Sequence, residues 1–142
     1  MYSIIQPLHS YLAWLLLVLI VLTLVFAVMG QYNPVQAASR SFRSAKVAFI
    51  LTHTQFLLGI ILYFISPYGF KNLSSETMHD SIGRLIAVEH PMINVIAVIL
   101  ITFGYLKLKR SLTMDGTKTV LIYYGIGLIL LLSRIPYHNW LN

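Results

Sequence analysis

Four long apolar stretches take up most of this 142-residue chain, and each carries a histidine within it or at its end. A single helix needs about 20 apolar residues to cross the hydrocarbon core of a bilayer. The stretches 8–29, 47–65, 88–106 and 120–136 each come close to that length. Inside hydrocarbon every backbone polar group must be bonded within the protein, so a helix is the form such a segment takes. Ionisable side chains in these segments are costly and face the interior of a bundle. The histidines are therefore the residues that need explaining, and they are the only side chains in these helices suited to binding a metal.

Hydrophobic residues make up 58% of the chain and charged residues 10%, far from the balance of a soluble domain. Once four spans are counted, little is left for a soluble module, so one integral membrane domain over 1–142 is expected. There are no cysteines, which removes disulfides, cysteine-based zinc sites, iron–sulfur clusters and covalent haem attachment. The formal charge of +6 does not point to nucleic acid, because the charges fall in the short connections between spans, where they report topology. The segment Met1–Pro7 has no Lys or Arg, and the apolar run behind it is too long for a signal-peptide core, so the first span is read as retained.

Along the chain, span one is expected to stop at Gly30, with Gln31-Tyr32-Asn33-Pro34 breaking it and a polar loop carrying Arg40, Arg43 and Lys46. Span two ends at the turn signal Ser66-Pro67-Tyr68-Gly69. The long connection that follows holds a capping-box pattern at Thr77–Asp80. It also holds a helical apolar face at Met78, Ile82, Leu85 and Ile86, which predicts a short amphipathic helix between spans two and three. Pro91 suits either the first turn of a new helix or a kink in a continuous one. Gly59, Gly125 and Gly127 are read as permitting close helix packing.

The basic residues set the orientation. Arg40, Arg43 and Lys46 lie in the first connection, and Lys107, Lys109, Arg110 and Lys118 lie in the third. Lys71, Arg84 and Arg134 on the other side are partly offset by Glu76, Asp80 and Glu89. The positive-inside rule puts the first and third connections in the cytoplasm and both termini outside. The fold expected is an all-α, four-transmembrane-helix up-down-up-down bundle.

At about 1.5 Å per residue, His9, His90 and His138 lie roughly 25–30 Å from the cytoplasmic ends of their spans, whereas His53 lies only about 10 Å in. A b-type haem takes axial ligands on opposite faces, commonly imidazoles from facing helices. Spans one and three lie diagonally in an up-down bundle, so His9 and His90 are the expected ligand pair. Arg84, Arg134 and Lys71 lie on the same side, placed to meet propionates, and Glu89 is placed to hold a ligand ring. The competing reading makes His9 and His138 interfacial residues with a wet edge, and His90 a helix-capping residue. His53 is open between an axial ligand, a ligand to a second haem, part of a proton or quinone site, and a core histidine bonded to a carbonyl or threonine. No H-E-x-x-H, G-x-S-x-G or P-loop pattern occurs, so nothing marks a standalone enzyme. Met78-His79-Asp80 offers a weak copper-binding alternative at the surface.

The pieces Leu8-His9-Ser10-Tyr11-Leu12 with Trp14, Thr52-His53-Thr54-Gln55 before Leu57-Leu58-Gly59, Val88-Glu89-His90-Pro91 and Ile101-Thr102-Phe103-Gly104-Tyr105 together resemble the small four-helix membrane proteins commonly labelled cytochrome b in bacteria. The likeness covers the first three spans; in the fourth it rests on length and Ile135-Pro136. The residue before Trp14 is often basic in such proteins and is Ala13 here. The resemblance implies a haem b-binding electron-transfer subunit of the bacterial inner (cytoplasmic) membrane, working with a quinone pool and a respiratory membrane complex. It points to His9, His53 and His90 ahead of His138. The alternative from a different class is a haem-free accessory or assembly subunit of a larger membrane complex; a third is a copper- or haem-precursor-handling protein. A unit of this size is compatible with a homodimer, and no sequence feature marks its face.

Overall fold

The computed structural model describes residues 1–32, 34–110 and 114–137. Helix α1 spans Tyr2–Tyr32 and α2 spans Pro34–Ile65. A 3-10 turn at Phe70–Asn72 follows, then the short helices α3 (Ser75–His79) and α4 (Ser81–Arg84). A π-helical turn at Leu85–Glu89 leads into α5 (His90–Arg110), and α6 covers Met114–Ser133. No strand occurs among the described residues. Among the described residues four helical segments are long and apolar enough to cross a membrane: Tyr2–Tyr32, Ser39–Ile65, Ser81–Arg110 and Asp115–Ser133. The large apolar side chains facing outward along all four, such as Val18, Leu57, Ile99 and Ile129, are what a lipid-facing surface requires.

Several boundaries differ from the sequence reading. Helix α1 continues through Gly30, and the stretch expected as a polar loop around Arg40, Arg43 and Lys46 is helical. Pro34 sits at the first position of α2, where its missing N–H has no intrahelical partner to lose. The basic cluster Lys107, Lys109 and Arg110 forms the last turn of α5, where cations meet the negative end of the helix dipole. The capping box expected at Thr77–Asp80 is instead two separate caps. The Ser74 hydroxyl accepts from Thr77 N at 3.1 Å, and an Asp80 carboxylate oxygen accepts from Gly83 N at 2.7 Å, while Thr77 spends its own hydroxyl on Asn72 O. The turn at Ser66–Gly69 falls where the sequence places it. A side chain at Gly69 would put its Cβ against the Tyr63 carbonyl oxygen.

Helix α1 packs on α2 and α6, and α5 packs on α6 and α2, so α1 and α5 occupy opposite corners. The core lies toward the basic-rich end, where Leu16, Ile20, Ala27, Ala45, Ala48, Ile101, Leu108, Val120 and Tyr124 are buried. There Phe49 stacks on Tyr105 at 4.6 Å between centroids, and the fully buried Tyr124 donates its hydroxyl to Ala45 O at 2.9 Å. Close approach of α5 and α6 depends on two glycines. A Cβ at Gly104 would lie 2.8 Å from Tyr123 Cβ, and one at Gly127 would lie 3.2 Å from Ile101. Gly125 has nothing within 4 Å, so it does not serve packing within this chain. Gly104→Ala should therefore cost about 1–3 kcal/mol through overpacking, while Gly125→Ala should be neutral or gain up to about 1 kcal/mol of helix propensity. Thermal unfolding of the two variants in detergent checks the contrast.

Candidate functional site

At the opposite end of the bundle from the aromatic core, α1, α2, α5 and the end of α6 line a half-open, largely apolar cavity of about 300 Å³. His9 and His90 both line it, with ring centroids 6.5 Å apart and planes inclined at 79°. Gly59 seats the first ring: a Cβ there would lie 3.3 Å from His9 Cε1 and 3.9 Å from Nδ1, with Nε2 beyond 4 Å. The Nδ1–Cε1 edge thus rests on α2 and Nε2 is turned off it. Gln55, one turn before Gly59, donates its amide Nε2–H to the His9 carbonyl at 2.8 Å. Two buried polar atoms at this place have no hydrogen-bond partner among the described residues, His9 Nδ1 and Gln55 Oε1.

His90 is placed by a broken ladder. Pro91 has no N–H, so the Ala87 carbonyl loses the partner it would have one turn on. The Tyr63 hydroxyl takes its place, donating to Ala87 O at 3.1 Å, and just before the proline His90 N–H reaches back to Leu85 O in a π turn, a feature common at functional sites. The His90 ring is then held from α6, with Nδ1 2.8 Å from Arg134 O, a carbonyl freed by the end of that helix. A carbonyl only accepts, so Nδ1 carries the proton, and in the neutral ring Nε2 keeps its lone pair. Asn94 adds a bond to the His90 carbonyl at 2.6 Å.

The arginines sit beside this pair in a different arrangement from the one expected. Glu89 does not touch the His90 ring. It bridges Arg84 Nε at 2.9 Å and Arg134 Nε at 3.3 Å, and Arg84 also donates to Met78 O. Lys71 stands exposed on the 3-10 turn. His53 does not line the cavity. Its Nδ1 donates to Phe49 O at 2.8 Å, and its Nε2 lies 3.3 Å from the Thr102 hydroxyl, which also bonds Val98 O. This is the geometry of a core histidine bonded to a carbonyl and a threonine. At the surface, Asp80 is occupied in capping α4. His138 lies outside the described residues. No group of three or more His, Cys, Asp or Glu able to hold a metal ion occurs among the described residues, so any metal here would rest on two histidines and a group of its own.

Gln55 and Tyr63 were not singled out from sequence. The available signals were a glutamine inside an apolar helix and the proline whose absent N–H calls for a substitute donor. If Tyr63 is that substitute, Tyr63→Phe should cost about 1–2 kcal/mol in the parent protein, and close to nothing in a Pro91→Ala background that restores the N–H. A double-mutant cycle of unfolding free energies measures the difference. No family model, no curated protein and no solved structure matches this chain.

Proposed function

We propose that this chain is a small b-type cytochrome-like subunit that binds haem b between His9 and His90 and passes electrons within the membrane. The observation that carries the reading is the approach of two imidazoles from diagonal helices across an apolar cavity. His9 and His90, with ring centroids 6.5 Å apart, would be the residues that hold the iron of such a group. His90 is fixed in the tautomer that offers Nε2, and the exposed guanidinium edges of Arg84 and Arg134 stand nearby for carboxylates. Bound haem would supply one-electron chemistry, and the protein would supply ligands, an apolar cavity and fixed charge.

In this reading the helices run up-down-up-down with both termini outside a bacterial inner membrane. Quinol on the membrane side and a respiratory complex are the redox partners. The short helix Ser75–His79 lies along the outer interface and leads into the span that begins at Ser81, with Met78 and Ile82 exposed while Thr77 and Gly83 face the protein. Ser41 is fully buried, so topology is better probed at exposed sites. A cysteine at Ser74 should label from outside and one at Lys109 should not; outside labelling at Lys109 overturns the orientation.

Purified from haem-sufficient cells, the protein should be coloured, with a dithionite-reduced b-type spectrum. His9→Ala and His90→Ala should each abolish the low-spin signal, while His53→Ala should keep it. A colourless sample free of iron would favour the haem-free accessory subunit. Loss of haem from a folded, inserted His53→Ala protein would bring His53 into the ligand set.

A further inference from the structure

The two ligand rings are not equally provided for. His90 Nδ1–H has the Arg134 carbonyl, whereas His9 Nδ1 is buried without a partner among the described residues. A histidine that coordinates through Nε2 must carry its proton on Nδ1, and a buried donor left unbonded costs about 1–3 kcal/mol. Metal-bound histidines almost always give this proton to a carboxylate or carbonyl oxygen, which fixes ring orientation and tautomer. The structure offers one unspent acceptor beside His9. The Gln55 amide nitrogen is committed to the His9 carbonyl, an acceptor only, which assigns the two ends of the amide. The other end, Oε1, is buried and unpaired. The Nδ1–Cε1 edge of His9 rests on Gly59, four residues after Gln55 and so on the same face of α2.

We infer that Gln55 is the positioning residue for His9: its amide clamps the residue at both poles, Nε2 on the backbone carbonyl and Oε1 on the imidazole Nδ1–H, so that Nε2 of His9 points into the cavity. The inference rests on His9 being a ligand through Nε2, as proposed above. It gives the site matched halves. A main-chain carbonyl from α6 sets the His90 tautomer, and a side-chain carbonyl from α2 sets that of His9. The two atoms are not hydrogen-bonded in the structure, yet with the proton on Nδ1 one is a donor and the other an acceptor on a neighbouring group, so a bond between them would satisfy both.

The tautomer can be read without haem. In 15N-histidine-labelled apoprotein in detergent, with the His9 signals assigned by their loss in His9→Ala, His9 should be mainly the Nδ1–H form. Gln55→Leu should shift it toward a mixture, and Gln55→Glu, which keeps an acceptor, should retain the Nδ1–H form. In haem-loaded protein, Gln55→Leu should weaken haem retention about 10- to 100-fold and raise the reduction potential, while Gln55→Glu should lower the potential by giving the imidazole more electron density. An Nε2–H tautomer in the parent apoprotein, or 15N shifts of His9 that do not respond to Gln55→Leu, would overturn the role of Gln55. Should Gln55→Leu fail to fold, Gln55→Glu alone decides: a potential equal to that of the parent overturns the inference. A protein that takes up no haem, yet whose His9 tautomer follows Gln55, would sink the haem reading and leave the clamp standing.

Discussion

Hydrocarbon offers no hydrogen bonds, and that constraint organises this chain from one end to the other. Within the spans the hydroxyls of Thr23, Thr52 and Thr102 turn back on carbonyls one turn earlier, and His53 does the same with its ring. Pro91 breaks the ladder inside α5, just after the π turn at Leu85–Glu89, and Tyr63 reaches across from α2 to take the freed carbonyl. The end of α6 leaves its own orphan carbonyl at Arg134, and His90 fills it. Breaks in two ladders thus surround one imidazole, with the Ala87 carbonyl taken by Tyr63 of α2 and the Arg134 carbonyl by His90 of α5.

The existence of the four helices is legible in the sequence because membrane spans announce themselves through length and hydropathy. Their ends are less legible. Hydropathy marks where lipid stops, and a helix has no reason to stop there. Arg40, Arg43 and Lys46 prolong α2 as helix, as Lys107 and Lys109 prolong α5, because long cationic side chains can reach toward water while their backbone remains helical. The caps before α5 were misplaced for a related reason. Ser74, Thr77 and Asp80 are all good capping residues, and only the fold decides that Thr77 turns to Asn72 while the other two cap.

For the site, depth along the helices brings His9 and His90 into one layer, and the structure brings the two rings together. Depth works there because a helix rises by a constant amount per residue, and the diagonal placement of α1 and α5 leaves an opening between them. What depth cannot carry is rotation about the helix axis. Consecutive residues on a helix point about 100° apart, and Glu89, adjacent to His90 in sequence, faces the arginines instead of the ring. The setting of His53 was among the open alternatives and could not be chosen from sequence, because its partners, Phe49 and Thr102, lie on two different helices.

Arg134 joins the electrostatics of the site to its geometry. Its main-chain carbonyl orients His90 and its guanidinium meets Glu89, which also holds Arg84. One carboxylate between two guanidinium groups leaves a net positive charge beside the cavity. All three side chains are partly exposed, so the ion pairs themselves stabilise the fold by only about 0–1 kcal/mol each. Their weight is better placed in the surplus charge. The surplus is local to this group, because elsewhere at this end Lys71 is balanced by Glu76 and Asp80. A ligand carboxylate would have to share the arginines with Glu89 or displace it, and either change would act on Arg134 and so on the carbonyl that orients His90. In the haem reading proposed above, the anionic edge of the ligand and the alignment of the His90 imidazole would meet at a single residue, Arg134, at the end of α6.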